Sequence, residues 1–305
     1  MPDTIGATPP PPPAAPSKLK VFLRRLVSFV VLWTILLAAL FSGNRLVSDY
    51  VFLVIMVLLA AAGLAEFYGL AAKRNLICFD RWGILGGLLL MVGTFLNLTG
   101  QLGTSGSPAR VNDFETSFLI LFVLGLCLRQ FFSRSNTAGI EAIATTLFGL
   151  MYVPWLLNFI QKINFFPGVE GQYYLLYFVL ITKFSDTGAY ATGSLIGRHK
   201  MIPRISPGKT WEGFAGGIAG SLGGAVLVRF LLLPDVPLLV CLLVGLGAAV
   251  LGPLGDHSES IIKRAAGVKD SGKFIPGHGG VLDRIDALLF VTPWVYAVAA
   301  YSAAG

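Results

Sequence analysis

Nine apolar runs limit what this chain can fold into. They lie near 22–41, 50–71, 82–99, 117–133, 140–160, 172–195, 211–233, 236–256 and 283–302. Each approaches the roughly 20 residues that a helix needs to cross a bilayer core. Gly, Pro, Asn, Asp or Ser mark the breaks between them. The expected fold is an all-α polytopic membrane protein with nine transmembrane helices. The 305 residues could hold two soluble domains by length alone, but only 13% are charged and 55% are hydrophobic. A soluble domain carries about 25% charged residues, so composition excludes that alternative.

The basic residues orient these helices. With a cytoplasmic N-terminus, 18 of the 23 Lys and Arg residues fall on the cytoplasmic side or at its helix ends. Arg45, Arg110 and Lys162 fall on the other side, and Lys183 and Arg229 fall within spans. This is a strong positive-inside bias. An odd number of spans then puts the C-terminus outside. Two basic loops, 196–210 and 257–280, face the cytoplasm. The net charge of +7 suits anionic lipid head groups and anionic substrates; nucleic acid is not an expected partner.

Residues 1–17 contain the run Pro9 to Pro13 and no apolar face, and are expected to be a disordered or polyproline-like tail. Lys18, Lys20, Arg24 and Arg25 precede the apolar stretch Leu26–Phe41. Its poor small-residue cleavage site and the spans that follow mark it as an uncleaved first helix. Cys78, Cys127 and Cys241 are scattered in apolar runs without metal-ligand or disulfide spacing. Gly216, Gly220 and Gly224 form a small-residue face that favours close helix packing.

Charge beside hydrocarbon is costly, about 2.5–3.5 kcal/mol at the centre of a membrane helix. Three clusters nevertheless sit at the cytoplasmic ends of spans. In the sixth, Lys183, Asp186 and Tyr190 share one helix face. Asp186 is a functional candidate, with a self-neutralising Lys183–Asp186 pair as the alternative. The second cluster runs from Ser206 through Lys209 and Thr210 to Glu212 and Gly213. Its Gly-Lys-Thr is similar to the end of a P-loop, but the first glycine is missing and no strand is expected before it. Lys209 beside a helix N-terminus remains a good phosphate contact, while Thr210 or Ser206 is an alternative helix cap. In the third cluster, Asp256, Glu259, Ser260, Lys263 and Arg264 form one polar stripe on a continued helix. A glycine-rich loop with Lys269 and His278 follows, suited to bringing backbone amides near an anion. Asp283 and Asp286 then lie one turn apart, next to Arg284. Carboxylates from Asp256, Asp283 and Asp286 suit Mg²⁺, which takes a few carboxylates together with phosphate oxygens. No His-rich set points to zinc.

Together these residues resemble the phosphatidate cytidylyltransferase (CDP-diacylglycerol synthase) family. Its pattern Ser-x-x-Lys-Arg, Lys-Asp, His-Gly-Gly-x-x-Asp-Arg-x-Asp is met from Ser260 to Asp286. Its Gly-Asp-x-x-Glu-Ser and Asp-Thr-Gly-Ala-Tyr elements are met at Gly255–Ser260 and Asp186–Tyr190. Two positions depart from it: Gly208 stands where the family usually has lysine, and His257 where it usually has an apolar residue.

The resemblance implies transfer of CMP from CTP to phosphatidate at the cytoplasmic face of a bacterial inner membrane. Asp256, Asp283 and Asp186 would be catalytic with Lys263. Mg²⁺ would sit on Asp256, Asp283 and Asp286, with a monovalent cation such as K⁺ nearby. Lys209, Ser260, Lys263, Arg264, Lys269, His278 and Arg284 would hold substrate or phosphate. A homodimer is also implied. The organisation then reads as a tail at 1–17, N-terminal membrane helices over 18–170 and catalytic membrane helices over 171–305. Two rivals are a cytidylyltransferase acting on another lipid phosphate, such as an isoprenoid ether lipid, and a secondary transporter of an anionic solute. The one-sided clustering and missing inverted repeats count against the transporter.

Overall fold

The structure, a computed structural model, describes residues 27, 30, 31, 33–35, 37, 38, 40–102, 108–133, 139–203, 206–272 and 279–304. The tail 1–17 with its proline run, Lys18, Lys20, Arg24, Arg25 and His278 lie outside the described residues. Within them the chain folds as helices joined by short turns: α1 (Arg45–Lys73), α2 (Asp80–Leu98), α3 (Pro108–Phe131), α4 (Gly139–Leu150), α5 (Leu156–Asn164), α6 (Gly171–Ile196), α7 (Trp211–Leu232), α8 (Leu238–Ala265) and α9 (Leu282–Ala304). One π-helical turn, Met151–Trp155, joins α4 to α5. Pro154 lies inside it, and a proline lacks the N–H that a regular helix would use there.

Each expected apolar run from the second to the ninth coincides with a helix or with the α4–α5 pair. Seven helical segments, counting α4–α5 as one, are long and apolar enough to cross a membrane among the described residues. The protein is an all-α polytopic membrane protein. α6 is long enough but falls outside those seven, because its polar cluster around Lys183 and Asp186 dilutes its hydropathy.

Three boundaries differ from expectation for physical reasons. α3 starts at Pro108 rather than near 117, because its polar first turns carry Glu115 into the protein. Glu115 accepts from Lys162 Nζ at 2.6 Å, and both side chains are buried. Lys162 is therefore an internal helix residue, not a loop charge. α8 continues past 256 to Ala265, so the segment expected as loop 257–280 begins nine residues later. Its end is closed by Gly267, whose φ of +69° suits glycine; the Gly267 and Val268 amides donate to the Arg264 and Lys263 carbonyls. The loop 196–210 contains a short antiparallel hairpin, β1 (Lys200–Ile202) and β2 (Ser206–Thr210), with Lys200 opposite Thr210 and Ile202 opposite Ser206.

The core runs through α1, the α4–α5 pair, α6, α8 and α9, where Leu64, Val153, Phe178, Ala248 and Leu289 have no exposed surface. α6 and α7 touch backbone to backbone. A Cβ on Gly188 would meet the Gly216 carbonyl at 2.4 Å, and one on Gly220 the Phe184 carbonyl at 2.6 Å. The glycine stripe of α7 is thus used for packing within the chain.

Candidate active site

A cavity of about 530 Å³ opens among α6, the hairpin, α7, α8 and α9. Its size lies in the usual range for small-molecule sites. α6 contributes Thr182, Lys183, Ser185, Asp186 and Tyr190, and the hairpin contributes Met201, Gly208, Lys209 and Thr210. Pro253 and Asp256 come from α8, and Asp283, Arg284 and Asp286 from α9. All three polar clusters found in the sequence therefore reach one cavity.

The hairpin is locked to α7 by local capping. Thr210 is the N-cap of α7, its hydroxyl accepting from the Gly213 amide at 3.1 Å. The Glu212 carboxylate accepts from the Arg198 and His199 amides and pairs with His199 Nδ1 at 2.6 Å. The Trp211 amide also donates to the His199 carbonyl. A strand does precede the Gly-Lys-Thr segment, contrary to expectation, but it belongs to a two-stranded hairpin rather than the parallel unit of a P-loop. This places Lys209 in contact with Asp256, across from its own element.

Lysine–carboxylate pairs organise the rest. Lys183 meets Asp186 at 3.1 Å within α6. Lys263 meets Asp283 Oδ1 and Glu259 Oε2, each at 2.5 Å, with little exposure of any of the three. Asp283 Oδ2 accepts further bonds from the Gly280 amide (2.8 Å), the Ser271 amide (3.1 Å) and the Ser271 hydroxyl (3.0 Å). Both oxygens of Asp283 are thus engaged by the protein. Asp256 and Asp286 are electrostatic neighbours in the cavity lining. Gly255 makes this possible: its Cα lies so near the Asp286 carbonyl that a Cβ would approach it to 2.4 Å.

Several expected ligands occupy other places. Lys263 is not in the cavity wall; it neutralises Glu259 and Asp283 behind it. Arg264 is exposed, and its Nη1 donates to the Val268 carbonyl at 3.2 Å, closing its own helix end. Ser260 and Lys269 do not line the cavity. His257 is buried, with Nδ1 donating to the Pro253 carbonyl at 2.5 Å. Among the described residues no group of three or more His, Cys, Asp or Glu side chains is gathered as a ready metal-ligand set. Of the expected trio, Asp283 is engaged by Lys263 and the turn before α9, Asp256 is paired with Lys209, and all three aspartates line the cavity.

One residue escaped the sequence reading altogether. Glu66 of α1 accepts from the Val281 amide through Oε1 and from the Leu282 amide and Ser271 hydroxyl through Oε2, all at 2.9 Å. The only local signal was an isolated acid in an apolar span, which is costly without partners.

Comparison with known proteins bears on the arrangement of helices and on these motifs alike. The model of the cytidylyltransferase family matches residues 23–302. This chain belongs to the cytidylyltransferase family. It is a nucleotidyltransferase and an integral membrane protein. A phosphatidate cytidylyltransferase of Bacillus subtilis (strain 168) is 33% identical over 253 residues, covering 81% of this chain and 91% of that protein. One from Staphylococcus saprophyticus is 37% identical over 183 residues, covering 60% and 68%. Another from Staphylococcus aureus (strain COL) is 49% identical over 126 residues, covering 41% and 48%. The match to the family model spans α1 to α9, so the N-terminal helices share the family pattern with the motif-bearing ones.

Proposed function

We propose that this cytidylyltransferase transfers the cytidylyl group of CTP to phosphatidate, giving CDP-diacylglycerol and pyrophosphate. The observation that carries the proposal is a lysine- and aspartate-lined cavity bounded by apolar helices. Such a wall lets a lipid's phosphate and a nucleotide triphosphate meet while its acyl chains stay in hydrocarbon. The names of the relatives support the same substrates.

A phosphatidate phosphate oxygen attacks the α-phosphorus of CTP in line. The bond from that phosphorus to the bridging oxygen breaks, and pyrophosphate leaves with the electron pair. No covalent nucleophile on the protein is required, since the lipid phosphate is already one. Lys209 and Arg284 of the cavity wall hold phosphates. Lys263 acts behind the wall, keeping Asp283 and the turn before α9 in place. Catalysis is positioning and electrostatics, as in other phosphoryl transfers.

The adjoining carboxylates of Asp256 and Asp286 fit a divalent ion, because Mg²⁺ takes one or two carboxylates and completes its shell with water and substrate phosphate. When bound, Mg²⁺ supplies neutralisation of the triphosphate and of the departing pyrophosphate. Asp186 stands across the cavity with Lys183. The distribution of Lys and Arg supports a site facing the cytoplasm of a bacterial inner membrane, with nine spans, the N-terminus inside and the C-terminus outside.

The test is pyrophosphate release by purified protein given CTP and phosphatidate, with and without Mg²⁺. Release that needs all three is expected. Turnover that persists after chelation refutes the Mg²⁺ assignment, and an absence of turnover with diacyl phosphatidate but not with an ether analogue refutes the lipid. Replacing K⁺ by Na⁺ in the same assay tests the monovalent ion, and cross-linking in native membranes tests the homodimer.

A further inference from the structure

We propose, on the cytidylyl-transfer reading above, that Glu66 is a positioning residue for the reaction. It acts through the turn that precedes α9. Val281 and Leu282 are almost fully buried, so their amides need acceptors inside the protein. A helix N-terminus is usually capped by its own sequence, but valine at 281 has no side-chain acceptor to offer. The carboxylate of Glu66, from an element more than two hundred residues earlier, takes both amides. Its charge also suits the positive end of the α9 dipole.

The same carboxylate also grips the α8–α9 loop part-way along, through the Ser271 hydroxyl. That hydroxyl also lies 3.0 Å from Asp283 Oδ2, so its single proton serves one carboxylate at a time. Two glycines make room for this bracket. A Cβ on Gly272 would strike Glu66 Oε1 at 2.3 Å, and one on Gly280 would strike Oε2 at 2.4 Å. Glu66 therefore closes the base of the loop and fixes the first turn of α9. That turn presents Asp283, Arg284 and Asp286 to the cavity. Glutamine at 66 keeps the size but replaces one acceptor oxygen with an N–H₂ donor, which faces other donors.

The experiment compares Glu66→Gln with wild type in pyrophosphate release and in hydrogen exchange at amides 281–282. Displacing reacting groups by about 1 Å can cost 10²-fold, so kcat is expected to fall about 100-fold with KM for CTP within threefold. Exchange at 281–282 is expected to accelerate. Glu141→Gln is the control: its carboxylate also bonds a backbone amide in the N-terminal half, that of Ile77, away from the cavity. It should leave kcat within threefold. Ser271→Ala reads the bracket from the loop side, and its effect on kcat should not add to that of Glu66→Gln. A Glu66→Gln kcat within threefold of wild type per folded molecule, or fully additive effects, overturns the proposal. If Glu66→Gln does not fold, an unchanged kcat in Ser271→Ala overturns it equally. A wild type without turnover refutes the reaction, whereas unchanged exchange at 281–282 refutes the bracket.

Discussion

Gly255→Ala should disable the enzyme through one methyl group. In isolation the change favours the helix, since alanine is better than glycine by about 1 kcal/mol in a helix interior. The packing term has the opposite sign. The added Cβ would lie 2.4 Å from the Asp286 carbonyl oxygen and 3.1 Å from the Ala287 Cα. Carbon–oxygen contacts of this kind settle at about 3.3–3.6 Å, so α8 and α9 must part by about 1 Å. Backbone on both sides leaves no flexible side chain to yield. Overpacking of this order costs about 1–3 kcal/mol, which outweighs the helix gain. The same 1 Å separates Asp256 from Asp286, and displacement on that scale can cost 10²-fold in rate. Thermal unfolding in detergent should show a lowered midpoint, and pyrophosphate release should show kcat reduced about 100-fold. Gly223→Ala on α7 is the reference, because its Cβ would meet nothing within 4 Å; it should be neutral or slightly stabilising, with full turnover. A Gly255→Ala enzyme with wild-type midpoint and kcat would refute the view that backbone contact sets the carboxylate pair.

Three further outcomes follow from the same geometry. Lys209→Ala should raise KM for CTP about tenfold, measured by initial rates; an unchanged KM would remove Lys209 from nucleotide binding. Asp286→Asn should abolish turnover and weaken binding of Mn²⁺ used as a spectroscopic probe in the absence of substrate, whereas unaltered Mn²⁺ binding would exclude the Asp256–Asp286 pair as the ion's site. Lys162→Met strands Glu115 in the interior, where breaking a buried pair costs about 3–5 kcal/mol; the unfolding midpoint should drop sharply while kcat per folded molecule stays near wild type.

Apolar run length alone located all eight helical segments among the described residues, counting α4–α5 as one, because hydrocarbon thickness imposes a length that the chain must display locally. The motifs from Asp186, Lys209 and Asp256 to Asp286 were also legible, and the helical continuation through Lys263 followed from spacing. Which side of that helix meets the cavity was not. Lys263 shares the stripe with Asp256, but only the packing of α9 decides that it sits behind the wall on Glu259 and Asp283. The hairpin was missed because strands of three and five residues with Gly and Pro carry no alternation to read. Glu66 was missed because its partners among the described residues lie beyond residue 270, and the acid alone names none of them.

The paired lysines of the cavity also govern how a nucleotide can approach. Lys183, Lys209, Lys263 and Arg284 stand against Asp186, Asp256, Asp283, Asp286 and Glu259 in and just behind its wall. By formal charge the acids outnumber the bases by one, so a bare polyanion meets no net attraction at short range. On the reading proposed above, a triphosphate must displace Asp256 before it can take Lys209 as its partner. Those local pairs govern contact only; the net charge of +7 still attracts an anion from a distance, so the nucleotide on-rate should fall as ionic strength rises.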